Sequence, residues 1–341
     1  MRLLSSALAV LLVACTAASF ARSVVAMTAE QSPAERTDTL RRYALDPASA
    51  LDARITDTPA SVLKMFAEAG LGSPTAHTLT AAERVKLSAA FAALPPLHRR
   101  VLSERLRSIS FLDGMPNTAL TSTVNPTEPY RLFDITIRAS VLGETVSEFL
   151  TQKERTCFDA AGSTRTVSID AGSLDAIVYV ILHEATHVVD SSLGLTPAAR
   201  LGAQPADGAP ATAFTKDVWQ DRTTIASAYR DPLLERVKYR ATGEVLPIAR
   251  ADAVYAALRR TPFASLYGSS NWHDDVAETV AWYHLTQRLN HPYRIVLRDA
   301  GKEIAAYEPM QSPLVRGRFD LMARFYEDGP QTSAAERPRV R

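Results

Sequence analysis

One short stretch of the 341-residue chain concentrates side chains able to hold and use a cation: Ile181-Leu182-His183-Glu184-Ala185-Thr186-His187-Val188-Val189-Asp190. On a helix, residues four apart lie one above the other on the same face. His183 and His187 can therefore chelate a single metal ion through their imidazoles. Glu184 projects about 100° further round such a helix. It stands beside the ion without being needed as a ligand, where it can take a proton from a water molecule. Two imidazoles, a carboxylate and a retained water suit a catalytic Zn²⁺ ion, one per chain.

The chain has 7 His, so His-Glu-x-x-His arises by chance with odds on the order of 1 in 100 and needs context. The bland reading makes His183 and His187 core histidines and Glu184 half of a salt bridge. Against it, two buried imidazoles and a carboxylate on an apolar helix are costly without a cation to satisfy them.

A catalytic zinc site needs a third protein ligand. Five residues compete in the segment from Asn271 onward: His273, Asp274, Asp275, Glu278 and His284. Glu278 shares a helical face with Ala281, Trp282 and Leu285, so it points towards packing and is the expected ligand. Asp274 and Asp275 fall in a first helical turn, where carboxylates complement the helix dipole. They can also hold a ligand imidazole from behind, as can Asp190, one turn beyond His187. His284 lies near the helix end, where a cation is welcome for other reasons.

The run His183, Glu184, His187, Val189, Asp190 resembles the first motif of lethal-factor-type toxins, in the gluzincin branch of the zincin metallopeptidases. The second motif of that family, an acidic-aromatic-aromatic-Ala-Glu run, is matched loosely by Asp275, Val276, Ala277 and Glu278. The resemblance covers about residues 165–285. It implies a zincin-like domain and hydrolysis of peptide bonds, with Glu184 as general base and His183, His187 and Glu278 as ligands. It also implies a tyrosine that supports the oxyanion. Tyr267 is the candidate, although it precedes Glu278 by a longer interval than the family's. A competing reading keeps the fold without catalysis, as an envelope binding or assembly lipoprotein. A third is a zinc-free structural lipoprotein.

Positioning these groups requires particular elements. An apolar run opened by Gly172-Ser173 and stopped by Gly194 predicts a helix over 174–193. Residues 272–289 predict the helix carrying the third ligand. Strand-like alternation marks 108–112, 133–139 and 165–170, and one of these is expected to form the sheet edge for an extended peptide. Thr80-Ala81-Ala82-Glu83 is a capping box opening a helix to 94. Further helices are expected over 58–70, up to 106, 146–158, 223–240, 249–260 and 314–326, with a hairpin at 294–307 and a long loop at 195–215. The expected class is α+β, mostly helical, with a small mixed or antiparallel sheet beside the His-Glu-x-x-His helix.

Composition sets the frame. Hydrophobic residues at 46% are ordinary for a globular chain and exclude wholesale disorder. Thirty-eight Lys+Arg against 37 Asp+Glu argue against a dedicated nucleic-acid binder. Residues 1–26 read as an export signal: a basic residue, a short apolar run, then Leu12-Val13-Ala14-Cys15, which resembles a lipobox with Cys15 acylated. Cleavage at a later small-residue site, giving a soluble exported protein, is the alternative. Either way the chain is expected at a bacterial cell envelope or outside it, with a peptide or protein substrate and a membrane contact only through the lipid. Cys157 is expected as a buried small hydrophobe. The chain then divides into a tether with short helices (27–57), a helical segment (58–107), the metallopeptidase domain (108–328) and a disordered basic tail (329–341).

Overall fold

The computed structural model describes residues 32–70, 72–197 and 211–327. The signal segment with Cys15, the tail from 329 and the middle of the 195–215 loop lie outside the described residues. In chain order the main elements are α1 (Pro33–Arg42), α2 (Ala60–Glu68), β1 (Thr75–Ala76), α3 (Ala81–Ala93), α4 (Pro96–Arg105), β2 (Leu106–Asp113), β3 (Ala119–Thr123), β4 (Phe133–Arg138) and α5 (Val146–Arg155). There follow β5 (Phe158–Asp159), β6 (Arg165–Asp170), α6 (Ala176–Leu193), β7 (Leu246–Pro247), α7 (Ala251–Leu258), α8 (Trp272–Tyr283), β8 (Arg294–Asp299), β9 (Lys302–Tyr307) and α9 (Pro313–Arg316).

This is an α+β fold. A mixed sheet has the order β1-β2-β4-β3, with β2 and β4 parallel and β3 antiparallel to β4. A second, antiparallel sheet has the order β6-β8-β9. β8 and β9 form the expected hairpin. Of the strands proposed as a free edge, β2 and β4 turn out to be interior, and β6 borders the other sheet. The mixed sheet ends in the two-residue β1 on one side and on the other in β3, a five-residue strand of half-buried residues that the sequence pattern did not mark.

α6 runs through the centre. Its first seven residues, Ala176 to Leu182, are all buried, as a continuous apolar run requires. It begins at an Asp175 cap rather than at Ser173. It ends where Gly194 takes a left-handed φ of 63° and returns its N–H to Asp190 O at 2.8 Å. α3, α4 and α8 pack around it. One hydrophobic core runs from Leu79 to Phe325, joining α3 and α4 to the elements that follow. Within the segment 58–107, α3 and α4 wall α6, whereas Val62 and Phe66 of α2 cluster separately with Leu112 and Met115. The helix expected over 223–240 is replaced by two short 3₁₀ turns, Ser227–Tyr229 and Leu234–Arg236. The one expected over 314–326 is split into α9 and a 3₁₀ segment, Phe319–Phe325. Among the described residues no helix is long and apolar enough to cross a membrane.

Candidate metal centre

The central helix presents His183 and His187 on one face, as their spacing requires. Their Nε2 atoms stand 3.2 Å apart. Asp274 Oδ1, from the first turn of α8, stands 3.6 Å from one and 3.5 Å from the other. These three atoms form a nearly equilateral triangle, and together they could hold a metal ion. Ligand atoms about 2.0–2.1 Å from a tetrahedral zinc ion are separated by about 3.3–3.4 Å, so the observed edges fit such an ion. The triangle also has an open side: the side chains of His187 and Asp274 are 22% and 14% exposed, whereas that of His183 is 6% exposed.

Asp274, not Glu278, occupies the third corner. The reason lies in the start of α8. The Asn271 side chain accepts from the backbone N–H groups of His273 and Asp274, fixing the first turn. Asn271 Nδ2 and Ser270 Oγ then donate to Asp274 Oδ2 at 2.6 and 2.9 Å. One carboxylate oxygen is thereby held, and the other is aimed at the two imidazoles. Burial alone would raise the Asp274 pKa, but the two histidines hold it well below the usual carboxylate range.

Glu278 lies one turn further along α8 and meets the other side of His183. Its Oε1 is 3.0 Å from Nδ1, an ion-pair contact too oblique for a straight hydrogen bond. Tyr179 and Ser265 hydroxyls and the Trp282 indole donate to the same carboxylate, Ser265 at 2.6 Å and Trp282 at 3.3 Å. A carboxylate there turns the imidazole and enriches it in electron density. Burial would lower the His183 pKa, but Asp274 and Glu278 overcome it and raise it to about 9. The packing that made Glu278 the expected ligand is real, but it directs this carboxylate behind an imidazole.

Glu184 accepts a 2.6 Å hydrogen bond from Thr121 Oγ1 on β3. Tyr267 reaches the site: its ring stacks on His183 with centroids 5.6 Å apart. The carboxylate of Asp274, then burial, then Glu184 and Glu278 push its phenol well above the ordinary value, so it stays protonated. It precedes Asp274 by seven residues, a shorter interval than the one to Glu278 that had set it apart from the family pattern. Next to it, a Cβ on Gly268 would come within 3.2 Å of Glu278 Cβ, so a larger residue would crowd α8 and displace it by a few tenths of an ångström.

The remaining candidates serve the frame. Asp190 does not touch a ligand imidazole. It accepts from Thr196 N at 2.7 Å and pairs with His273 Nδ1 at 2.7 Å, tying the end of α6 to the start of α8. The chain doubles back after Gly194, which brings Thr196 to this carboxylate before any ligand histidine can claim it. His273 spends its second nitrogen on the Trp272 indole at 3.0 Å. Asp275 is fully buried on the opposite side, bound twice by Arg318 at 2.7 and 2.9 Å and once by Trp219 Nε1 at 2.8 Å. It braces α8 and has no contact with the ligands. His284 bonds Ala93 O and the Tyr326 hydroxyl, away from the centre. Cys157 is buried, and burial pushes its thiol up, which leaves it a weak nucleophile.

Sequence reasoning missed Thr121, Ser270 and Asn271. The last two had a readable signal, a Ser-Asn pair at a helix start. Thr121 had none, because its role depends on β3 passing α6. No known protein family, curated protein or solved structure matches this chain.

Proposed function

We propose that the chain is a zinc-dependent peptidase whose ion is held by His183, His187 and Asp274. The observation that carries this reading is the triangle of 3.2, 3.5 and 3.6 Å between two imidazole nitrogens and one carboxylate oxygen, open to solvent on one side. Zinc bound there would acidify a water molecule and polarise a scissile carbonyl. The chain's own groups do the rest. Glu184, with Oε2 held by Thr121, keeps Oε1 to take the proton of the attacking water and return it to the leaving amine. Tyr267, protonated at neutral pH, donates a hydrogen bond to the developing oxyanion. Glu278, 3.0 Å from His183 Nδ1, places a negative charge behind that imidazole. An extended peptide pairs with the free edge of β3, which runs past Glu184. Export, with Cys15 as lipid anchor, belongs to the same proposal and rests on the signal-like first residues.

The test is Glu184→Gln. Hydrolysis of a peptide library should fall by about 10²–10⁴-fold, while bound zinc stays near one per chain. Undiminished turnover by a clean preparation of that variant would remove Glu184 from the chemistry.

A further inference from the structure

Beside the metal centre lies a cation that the steps above leave unused. Lys153, near the end of α5, places its ammonium 3.3 Å from the centroid of the Tyr267 ring and 5.9 Å from that of Tyr239. Tyr267 in turn stacks 5.6 Å from His183. The charge is therefore within about 9 Å of the imidazole, the reach of two to three residues of an extended peptide.

Among the described residues no carboxylate comes within ion-pair distance of this ammonium. Glu278, Asp274, Glu184 and Glu154 act on it only from farther off. Each of those acids already has closer partners: Glu278 has Ser265, Asp274 has Asn271, Glu184 has Thr121 and Glu154 has the Tyr255 hydroxyl at 2.6 Å. Burial lowers the Lys153 pKa, as expected for an ammonium that has lost water without gaining an anion. Two aromatic faces cushion the charge but offer no acceptor oxygen, and an ammonium carries three donors. Lys153 is only partly buried, and beside it lies a cavity of about 20 Å³ that it lines with Tyr239, Ser265, Tyr267 and Glu278.

We propose that Lys153 receives a carboxylate of the substrate, carried by a residue within about two positions of the scissile bond. The proposal rests on the peptidase reading and gives it a specificity. The carboxylate belongs either to an Asp or Glu side chain or to a free C-terminus, since an ammonium without a second fixed partner recognises both.

The experiment maps cleavage sites in two randomised octapeptide libraries, one amidated and one with a free C-terminal acid, by mass spectrometry. Wild type is compared with Lys153→Met and Lys153→Glu, all loaded with zinc. In wild type, Asp and Glu near the cut should exceed Asn and Gln by about 10- to 100-fold, the range of a charge-assisted hydrogen bond. The preference should vanish in Lys153→Met and turn towards Lys and Arg in Lys153→Glu. If the acid is instead the terminus, cuts cluster near the end of the free-acid library only, and again depend on Lys153. Wild-type cleavage without acid preference in either library overturns the proposal, as does an acid preference that survives Lys153→Met. Cleavage of nothing by wild type refutes the peptidase reading instead. The lysine is then judged by binding of N-acetylglutamate followed by NMR, which must be saturable in wild type and lost in Lys153→Met, or the carboxylate receptor fails as well.

Discussion

Replacing Asp274 by Asn and, separately, Glu278 by Gln tests which acid is the ligand. Both changes keep shape and remove one negative charge. Asp274 supplies the oxygen 3.5 and 3.6 Å from the two facing imidazole nitrogens. Glu278 touches only the back of one imidazole, at Nδ1. Loss of a carboxylate behind a ligand histidine costs about 10- to 100-fold in metal affinity, or about 1.4–2.8 kcal/mol. Loss of a corner of the triangle should cost more than about 100-fold, beyond the range for a supporting group. Competition between the apo-protein and a chromogenic chelator for zinc measures both, with circular dichroism confirming that each variant is folded. Zinc affinity should rank wild type, then Glu278→Gln, then Asp274→Asn. The reverse order for the two variants would show that the metal sits on Glu278 and that the triangle is a coincidence of packing.

Other consequences can be checked alongside. Tyr267→Phe keeps the ring on His183 but removes the donor, so kcat should fall about 10²–10³-fold with zinc affinity unchanged; a matching fall in zinc binding would make the residue structural. Asp275→Ala leaves the buried Arg318 guanidinium without its carboxylate and should cost about 3–5 kcal/mol in urea unfolding; an unchanged urea midpoint would show that the pair does not brace α8. His98 is fully buried, and burial, then His284, lower its pKa from 6.5 to about 3. Its folded pKa lies below its unfolded one, so stability is complete above about pH 6.5 and is lost as pH falls towards 3. Between pH 8 and pH 5 this one group should remove about 2 kcal/mol. Urea midpoints should show that loss in wild type and a smaller one in His98→Gln; an equal loss in both would assign the acid sensitivity elsewhere.

Much of the centre is legible along the chain because helix geometry is local. Four-residue spacing puts His183 and His187 on one face whatever surrounds them. The run before them is too apolar to sit anywhere but the core, and Gly194 can take the left-handed φ that ends the helix. The capping box at Thr80 and the hairpin at 294–307 are equally local, and both form. β3 left no such trace: Ala119-Leu120-Thr121-Ser122-Thr123 has a weak alternation and becomes a strand through its pairing with β4. The stretch 223–240 fails in the other sense, since tertiary packing holds it as turns around Leu234 and Val237 despite its helical pattern.

The choice of third ligand could not be read from periodicity, because Asp274 and Glu278 are four residues apart and share a face of α8. Which carboxylate meets the Nε2 atoms depends on where the N-terminus of α8 lies against α6. That placement is set by long-range contacts: Asp190 to His273, Arg318 to Asp275, and Gly268 against Glu278. Tyr267 stacks on His183, and the Lys153 ammonium lies against the Tyr267 ring. The sequence by itself determined that two histidines and a glutamate would share a buried helix able to chelate a cation, because backbone geometry repeats every few residues. Only the tertiary structure decided which acid completes the centre, which strand borders it and which lysine stands beside it, because each of those depends on elements distant in the chain being packed together.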